Sequence, residues 1–331
     1  MEALLARHWW RRGLTLLTAL LLPLSWLYGV LARRAARVEP QRAPRPVVVV
    51  GNLVAGGAGK TPTVIALVQA LRAAGRHPGV ISRGHGRRGD GTHEVQPGSV
   101  AAAVGDEPLL IRRRAGVPVF VGRDRVAAAR ALCAAHPEVD LLVADDGLQH
   151  AALARDVEIV VFDERGIGNG RLLPAGPLRE PMPAAWPATR LVLYNAAAPS
   201  TAVRGTLALR RLGDAVPLAA WQAGRADGAQ PLAALRGRPL VAVAGIASPE
   251  RFFGMLEGAG LAIQRLPLPD HHPYATLPWP VGTADVVVTE KDAVKLDATA
   301  CGATRVWVVG LDFALPEAFV AQVLRRLDTA P

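Results

Sequence analysis

Short runs of consecutive apolar residues recur along the chain, each bounded by glycine, proline or polar residues. The first covers residues 47–50, four valines between Pro46 and Gly51. A strand that is buried on both faces has this continuous pattern, because neither face of its sheet meets water. The same pattern predicts five further strands, at residues 80–82, 117–121, 141–144, 158–162 and 191–194.

Alanine-rich stretches with helical periodicity separate these strands, as at residues 63–74 and 125–135. Strands that alternate with helices predict an α/β fold built on a doubly wound parallel sheet. A smaller second α/β domain is predicted by another set of apolar runs, at residues 240–244, 286–289 and 305–309. Ser248 followed by Pro249 marks the start of the first helix in that domain.

The longest apolar segment, residues 13–32, contains no charged side chain. About 20 apolar helical residues span the core of a bilayer, so the segment predicts an N-terminal membrane anchor. A cleaved signal peptide is one alternative, although Pro23 interrupts the segment and no small-residue cleavage site precedes Arg33. A helix that lies in the membrane interface is the other alternative.

A glycine-rich loop follows the first strand and leads into the first helix of the sheet. It ends in Gly-Lys-Thr, which in this context is typical of a phosphate-binding loop, or P-loop. Its backbone N–H groups would converge on the phosphates of ATP, while Lys60 reaches the β- and γ-phosphates. The strict pattern fails at Val54, where a glycine is usual, and a glycine-rich turn without a ligand is the alternative. The predicted ATP-binding residues of the loop are Val54, Ala55, Gly56, Gly57, Ala58, Gly59, Lys60 and Thr61.

Two aspartates end the predicted strand at residues 141–144. P-loop enzymes hold Mg²⁺ with an acid at the end of a neighbouring strand, so Asp145, Asp146 and the Thr61 hydroxyl are the predicted metal ligands. Which aspartate binds the ion directly stays open, and capping of the next turn is the alternative role. The residues that follow are expected at the nucleotide phosphates or the metal shell, with a buried structural histidine as the alternative for the second: Gln149 and His150.

Composition adds a strong positive charge. The 331 residues carry a formal net charge of +10, which suits an anionic membrane or nucleic acid. No recognition helix or basic-aromatic module supports nucleic acid. The membrane is favoured because arginines flank the apolar segment, at Arg7, Arg11, Arg12, Arg33, Arg34 and Arg37. Two cysteines, Cys133 and Cys301, are too few for a disulfide framework and indicate a reducing compartment.

Several short blocks together resemble the tetraacyldisaccharide 4'-kinase family of lipid A biosynthesis. Besides the P-loop and residues 145–150, they occur in order at residues 82–84, 105–108, 168–180, 269–272 and 289–292. Each block is weak alone, but their ordered combination spans nearly the whole chain. One departure is His85, where the family often carries an aromatic residue.

The resemblance implies that ATP and Mg²⁺ serve to phosphorylate the 4'-hydroxyl of tetraacyldisaccharide 1-phosphate, giving lipid IVA. It also implies that Asp106 and His271 form a catalytic pair, in which the carboxylate accepts the proton of the sugar hydroxyl. Read without the resemblance, Asp106 is better explained as a helix cap than as a catalytic acid. Arg179 is expected to clamp phosphate, with a solvated surface arginine as the alternative. The predicted catalytic residues are Asp106, His271, Lys60 and Arg179.

The expected organisation is a membrane anchor helix at 1–38, a P-loop kinase domain at 39–205, a linker region at 206–237 and a smaller α/β domain at 238–331. The expected partners are the lipid-linked disaccharide and the cytoplasmic face of the anionic inner membrane. We expect a monomer that binds no nucleic acid. The competing hypothesis is a membrane-associated P-loop ATPase switch, which would use the same loop and aspartates but would need no acid to activate an acceptor.

Overall fold

Two β-sheets form the framework of the computed structural model, which describes residues 2–11 and 13–329. The larger sheet has eight strands in the order β3-β4-β2-β5-β1-β6-β7-β8. Its strands are β1 (Val47–Gly51), β2 (Pro78–Ser82), β3 (His93–Glu94), β4 (Val119–Val121), β5 (Leu141–Asp145), β6 (Val157–Asp163), β7 (Arg190–Asn195) and β8 (Thr206–Leu207).

The smaller sheet has five strands in the order β11-β10-β12-β13-β9. They are β9 (Leu209–Pro217), β10 (Leu240–Ala244), β11 (Ile263–Pro267), β12 (Asp285–Thr289) and β13 (Arg305–Ala314). Neighbouring strands in both sheets are parallel, except that β3 pairs antiparallel with β4 and β9 antiparallel with β13. The predicted α/β class with largely parallel sheets is confirmed.

Eleven helices are found in the described part of the chain, with 3-10 turns at Leu232–Leu235 and Thr299–Cys301. They are α1 (Glu2–Trp9), α2 (Leu16–Leu20), α3 (Leu22–Ala35), α4 (Lys60–Ala73), α5 (Ala101–Val104), α6 (Asp106–Ala115), α7 (Arg125–Ala135), α8 (Leu218–Gln222), α9 (Pro249–Gly258), α10 (Glu290–Ala293) and α11 (Glu317–Asp328).

Strand β1 lies in the middle of the larger sheet and is buried on both faces. Val48 and Val50 pack into a core that includes residues of α4, α6 and α11. Val47 and Val49 point to the opposite core, which includes residues of α7. This double burial explains the unbroken valine run, since both alternating sets of side chains are removed from water.

The N-terminal segment does not form the single helix that its apolar residues predict. Helix α2 ends at Leu20, and after Leu21 a separate helix, α3, begins with Pro23 in its first turn. Proline has no N–H with which to continue the preceding helix, and its ring occupies the space of the preceding turn. Among residues 2–11 and 13–329, no helix is long and apolar enough to cross a membrane. Arg12, one of the flanking arginines, lies outside the described residues.

The segment 206–237, expected to be a linker, contains β8, β9 and α8. Strand β9 pairs with β13 over almost its whole length and forms one edge of the smaller sheet. Its residues are mostly only partly buried, so it lacks the apolar run that marks a central strand. The domain boundaries themselves stay predictions.

Candidate active site

The glycine-rich loop connects β1 to α4, as expected for a P-loop. Helix α4 begins at Lys60, three residues before the predicted start, because Pro62 is tolerated in a first helical turn. Gly59 caps the helix with φ +87°, and a Cβ atom there would lie 2.0 Å from Asn195 Nδ2. Asn195 Nδ2 donates a hydrogen bond to Ala58 O at 2.9 Å. Only glycine fits this position, since both the backbone angle and the space exclude a side chain.

Lys60 points back across the loop toward the aspartates. Its Nζ donates to Asn52 Oδ1 at 3.3 Å and lies 3.6 Å from Asp146 Oδ2. Asn52 also donates to Gly56 O at 3.1 Å, so it ties both the loop and the lysine in place. Thr61, the predicted metal ligand in this turn, is buried at the start of α4. Asn52 was not predicted, because an asparagine within a loop motif looks like an ordinary turn residue.

Asp145 ends β5 directly beside the P-loop strand, since Val50 and Asp145 are partners in the β1–β5 pair. Its Oδ2 accepts a hydrogen bond from Ser82 Oγ at 3.1 Å, and its buried Oδ1 has no hydrogen-bond partner among the described residues. Burial, together with the charges of Glu107 and Asp146, raises the pKa of Asp145 to about 7. An added cation would therefore be needed to keep this carboxylate fully ionised at neutral pH.

Asp146 differs from its neighbour in charge state and surroundings. Burial raises its pKa, but the charges of Lys60 and Arg179 lower it more, so the pKa lies below its ordinary value. Arg179 Nη1 donates to Asp146 Oδ1 at 3.1 Å and to Gln149 Oε1 at 3.3 Å. Gln149 Nε2 donates to Asn52 O at 3.2 Å. The structure thus joins Arg179, Gln149 and Asp146 at the phosphate loop.

His150 lies at the edge of this group. Burial and the charge of Arg125 lower its pKa, and its buried Nε2 has no hydrogen-bond partner among the described residues. Arg125 itself is buried at the start of α7, and its Nη2 is 3.5 Å from Asp146 O. It was not predicted, because one arginine at a helix start carries no sign in sequence that it will be buried. Within residues 2–11 and 13–329, no group of three or more His, Cys, Asp and Glu is arranged to hold a metal.

Asp106 and His271 meet although 165 residues separate them in sequence. Asp106 is the first residue of α6, and the preceding Gly105, not Asp106, is the cap of that helix. His271 follows β11 and brings its Nδ1 to 2.9 Å from Asp106 Oδ2. The adjacent His272 turns away and packs its ring against Tyr274. Of the histidine pair, the structure places His271 at Asp106.

The surroundings of His271 determine the tautomer of its neutral ring. Lys291 Nζ lies 3.3 Å from His271 Nε2. An ammonium has only donors, so Nε2 must be the acceptor, and the ring proton is on Nδ1 and is donated to Asp106. The hydrogen bond to Asp106 raises the pKa of His271, and burial opposes this. His85, the departure from the family pattern, lies against His271 with ring centroids 5.5 Å apart.

Ion pairs connect the Asp106–His271 pair to the rest of the site. Lys291 Nζ lies 3.2 Å from Glu107 Oε1 and 3.1 Å from Asp270 Oδ1. The negative charge of Glu107 helps to raise the pKa of Asp145. The start of α6 is therefore close enough to the end of β5 for their carboxylates to interact. The carboxyl ends of strands from both sheets therefore surround one region, the place where α/β proteins bind ligands.

The N-terminal helices hold the segment that carries Arg179. Ser25 Oγ donates to Leu172 O and accepts from Ala175 N–H, each at 2.9 Å. Tyr28 donates its hydroxyl proton to Arg179 O at 2.9 Å. Arg179 N–H is bonded to Leu53 O at 2.7 Å, next to the P-loop. Helix α3 thus contacts residues 172–179, and this segment in turn is hydrogen-bonded to the start of the phosphate loop.

Comparisons with known proteins agree over the whole chain. A family model described as tetraacyldisaccharide-1-P 4'-kinase matches residues 17–328. The tetraacyldisaccharide 4'-kinase of Methylibium petroleiphilum is 56% identical over 341 residues, covering 100% of this chain and 94% of that protein. The enzyme of the same name from Leptothrix cholodnii is 57% identical over 328 residues, and the match covers 96% of this chain and 94% of that enzyme.

The fold of the chain is also similar to that of solved structures. Among them is the crystal structure of LpxK from Aquifex aeolicus in complex with ATP, with a TM-score of 0.74 and 24% sequence identity. The match covers 94% of this chain and 100% of that one. At this identity the likeness shows a shared fold.

Proposed function

The chain belongs to the tetraacyldisaccharide-1-P 4'-kinase family, and from that premise we propose how it carries out the reaction. It is a kinase of lipid A biosynthesis that uses ATP to phosphorylate the 4'-hydroxyl of tetraacyldisaccharide 1-phosphate. The product is lipid IVA, and ADP is released. The observation that carries the mechanism is the Asp106–His271 pair, because it supplies a base that lies outside the phosphate loop.

ATP would bind with its phosphates in the P-loop, residues 54–61, in a P-loop NTPase-like arrangement. The N–H groups at the start of α4 face this loop, and a helix N-terminus favours anions. Lys60 would shift from Asn52 and Asp146 to the β- and γ-phosphates. Arg179 and Gln149 would stabilise the charge on the transferred group from the other side.

Mg²⁺ would be held by Asp145, Asp146 and Thr61, together with phosphate oxygens. The residues fit the ion, because Asp145 has a buried oxygen without a hydrogen-bond partner and a pKa raised to about 7. A bound Mg²⁺ would neutralise phosphate charge and hold the carboxylate ionised. Asp146, already paired with Lys60 and Arg179, is ionised without it.

Phosphoryl transfer requires that the sugar hydroxyl lose its proton as the new bond forms. The 4'-oxygen bonds to the γ-phosphorus, the bond from that phosphorus to the bridging oxygen of ADP breaks, and the hydroxyl proton moves to the Asp106 carboxylate. His271 donates Nδ1–H to Asp106 and so orients the oxygen that receives the proton. Lys291 keeps the ring in that tautomer.

The test is transfer of labelled γ-phosphate from ATP to tetraacyldisaccharide 1-phosphate in detergent. Product that depends on the acceptor is the expected result. Phosphate release at the same rate without the acceptor would instead favour the ATPase switch. We also propose that the enzyme acts as a monomer, because Lys60, Asp106 and His271 all come from one chain.

We propose that α2 and α3 bind the cytoplasmic face of the inner membrane by lying in its interface. Their outward leucines are exposed, with Leu16 at 80% and Leu20 at 70% of their accessible area, and Trp26 is 70% exposed. Leu24, Leu27 and Leu31 continue the exposed row at helical spacing. The surfaces of soluble proteins rarely expose such a row of apolar side chains, whereas a helix that lies in a membrane interface requires one. Exposed arginines in the last turn of α3 and just after it would meet anionic headgroups: Arg33, Arg34 and Arg37.

Replacing Leu16, Leu20 and Leu24 together with serine should weaken binding to phosphatidylglycerol vesicles by about a hundredfold or more, because each buried leucine contributes roughly 1.5–3 kcal/mol. Co-sedimentation with vesicles of known composition measures this. Leu209→Ser is the matched control, since this leucine of β9 is 58% exposed and lies outside α2 and α3. Equal sedimentation of the triple variant and the parent would contradict the interfacial role of these helices.

A further inference from the structure

Lysine is almost absent from this chain, and its few positions are informative. Of the 38 lysine and arginine residues only three are lysines: Lys60, Lys291 and Lys295. All three lie at the site, Lys60 next to Asp146 and the other two next to the Asp106–His271 pair. Arginine supplies every other permanent side-chain cation, so these positions use what distinguishes lysine, a compact ammonium on a flexible stem.

Lys295 is the lysine that the reaction described above leaves without a role. Its side chain is only 7% exposed, and its Nζ lies 3.3 Å from Asp292 Oδ1 and 4.0 Å from Asp106 Oδ2. A buried ammonium is costly unless opposite charges compensate for the lost water. The position between two carboxylates accounts for its burial and joins it to Asp106.

Asp292 gives Lys295 a fixed anchor. This carboxylate is fully buried, and its Oδ2 accepts hydrogen bonds from Gly245 N–H at 3.0 Å and from Thr289 Oγ1 at 2.7 Å. Its Oδ1 has no hydrogen-bond partner among the described residues and is the atom nearest to the ammonium. The ring of Tyr274 lies 5.3 Å from Lys295 Nζ and covers another side.

We propose that Lys295 is a positioning residue for the base: paired with Asp292, its ammonium holds Asp106 ionised and in place at its hydrogen bond with His271. The inference rests on the proposed function, which assigns to Asp106 the acceptance of the hydroxyl proton. Two groups then act on the same oxygen, Asp106 Oδ2: His271 Nδ1 at 2.9 Å and Lys295 Nζ at 4.0 Å. A buried carboxylate without such cations would retain a proton and could not act as a base.

The charges around Asp106 predict the sign of the effect. Burial raises the pKa of Asp106, but the hydrogen bond from His271 and the charges of Lys291 and Lys295 lower it below its ordinary value. Without Lys295 the pKa must rise, so the base becomes protonated at a higher pH and activity is lost on the acidic side. The groups that act on this carboxylate directly are His271, Lys291 and Lys295. Further titratable groups contact these three: His85 and Asp270 lie against His271, Glu107 against Lys291, and Asp292 against Lys295.

The test is the pH profile of kcat for the Lys295→Met variant at saturating ATP and acceptor. We expect the acidic limb to move up by about one pH unit, because an opposite charge at this distance lowers a carboxyl pKa by about 1–3 units. The variant would then be about tenfold slower than the parent on the acidic limb and close to it at alkaline pH. Lys295→Arg, which keeps the charge, should keep the limb near that of the parent.

A matched control is Arg238→Met. Arg238 lies 3.8 Å from buried Asp285 and beside the ring of Trp307, so it is also a cation between a buried carboxylate and an aromatic ring, at the opposite end of β12. The acidic limb of the pH profile should be the same in Arg238→Met as in the parent enzyme. The Lys295→Met variant leaves the buried Asp292 carboxylate without its cation and could fail to fold for that reason. In that case the double variant Asp292→Asn, Lys295→Met removes the unpaired charge, and the same pH profile is measured on it.

A double-mutant cycle separates action through Asp106 from general damage. In an Asp106→Asn background, Lys295→Met should change the residual rate by about twofold at most, since no carboxylate remains to be held. An unshifted limb in a folded Lys295→Met enzyme, or an equal loss of rate in both backgrounds, would overturn the role of Lys295. A fully active Asp106→Asn enzyme would overturn the assignment of the base itself, and the role of Lys295 with it.

Discussion

The Asp106→Asn variant is expected to lose about a thousandfold in kcat for phosphoryl transfer, since a positioned general base contributes about a hundred- to ten-thousandfold. Asparagine has nearly the same size and can still accept the hydrogen bond from His271, but it cannot take the hydroxyl proton. ATP should bind with unchanged affinity, because the base acts on the acceptor and not on the nucleotide.

Single-turnover transfer of labelled γ-phosphate, measured together with the Kd for ATP, checks this prediction. Asp227→Asn serves as the control, since this aspartate is largely exposed in the loop after α8. If ATP affinity falls as much as the transfer rate, Asp106 has a structural or metal-binding role. If kcat hardly changes, another group removes the proton.

The Lys60→Met variant should lose both nucleotide affinity and rate. Its ammonium, 3.3 Å from Asn52 and 3.6 Å from Asp146, is already positioned at the mouth of the P-loop. Loss of one charge-stabilising donor costs about a hundred- to a thousandfold in kcat. Because a hydrogen bond to a charged group contributes about 1.5–3 kcal/mol, ATP binding should weaken by about tenfold or more.

Equilibrium binding of ATP and steady-state transfer, measured on the same preparation, separate the two losses. Lys60→Arg should not restore the parent rate, because a planar guanidinium does not reproduce the compact point charge of an ammonium at the phosphates. Asn52→Ala is a second variant to measure, because it keeps the lysine but removes the hydrogen bond that holds it. We expect it to lose less ATP affinity and less rate than Lys60→Met. Normal turnover without Lys60 would contradict the assignment of the P-loop.

The central strands and the phosphate loop were determined by the sequence alone. A strand buried on both faces needs apolar side chains at every position, so the runs at 47–50, 141–144 and 158–162 could be identified without a partner. The Gly-Lys-Thr sequence needs only the strand before it and the helix after it, and both are local. Adjacent parallel strands end at one edge of a sheet, so the aspartates at the end of β5 are expected beside the loop.

Edge strands and the N-terminal region depended on tertiary structure. Strands β9 and β11 are partly exposed, so their residues do not show the apolar run by which central strands are found. At the N-terminus, composition alone predicted one helix over residues 13–32. The interruption at Leu21 follows from Pro23, but only the fold shows that α3 packs on the segment bearing Arg179.

The assembly of the second half of the site could not be derived from the residues themselves. Asp106 and His271 are 165 residues apart, and their pairing was suggested by the family resemblance, since no local pattern joins them. Lys295 carried no signal at all, because sequence does not show which lysine will be buried between two carboxylates. Local sequence determines what each segment can form and bind, whereas charges brought together by packing determine how acidic and how well oriented the groups are, since desolvation and Coulomb energy depend on distance in space.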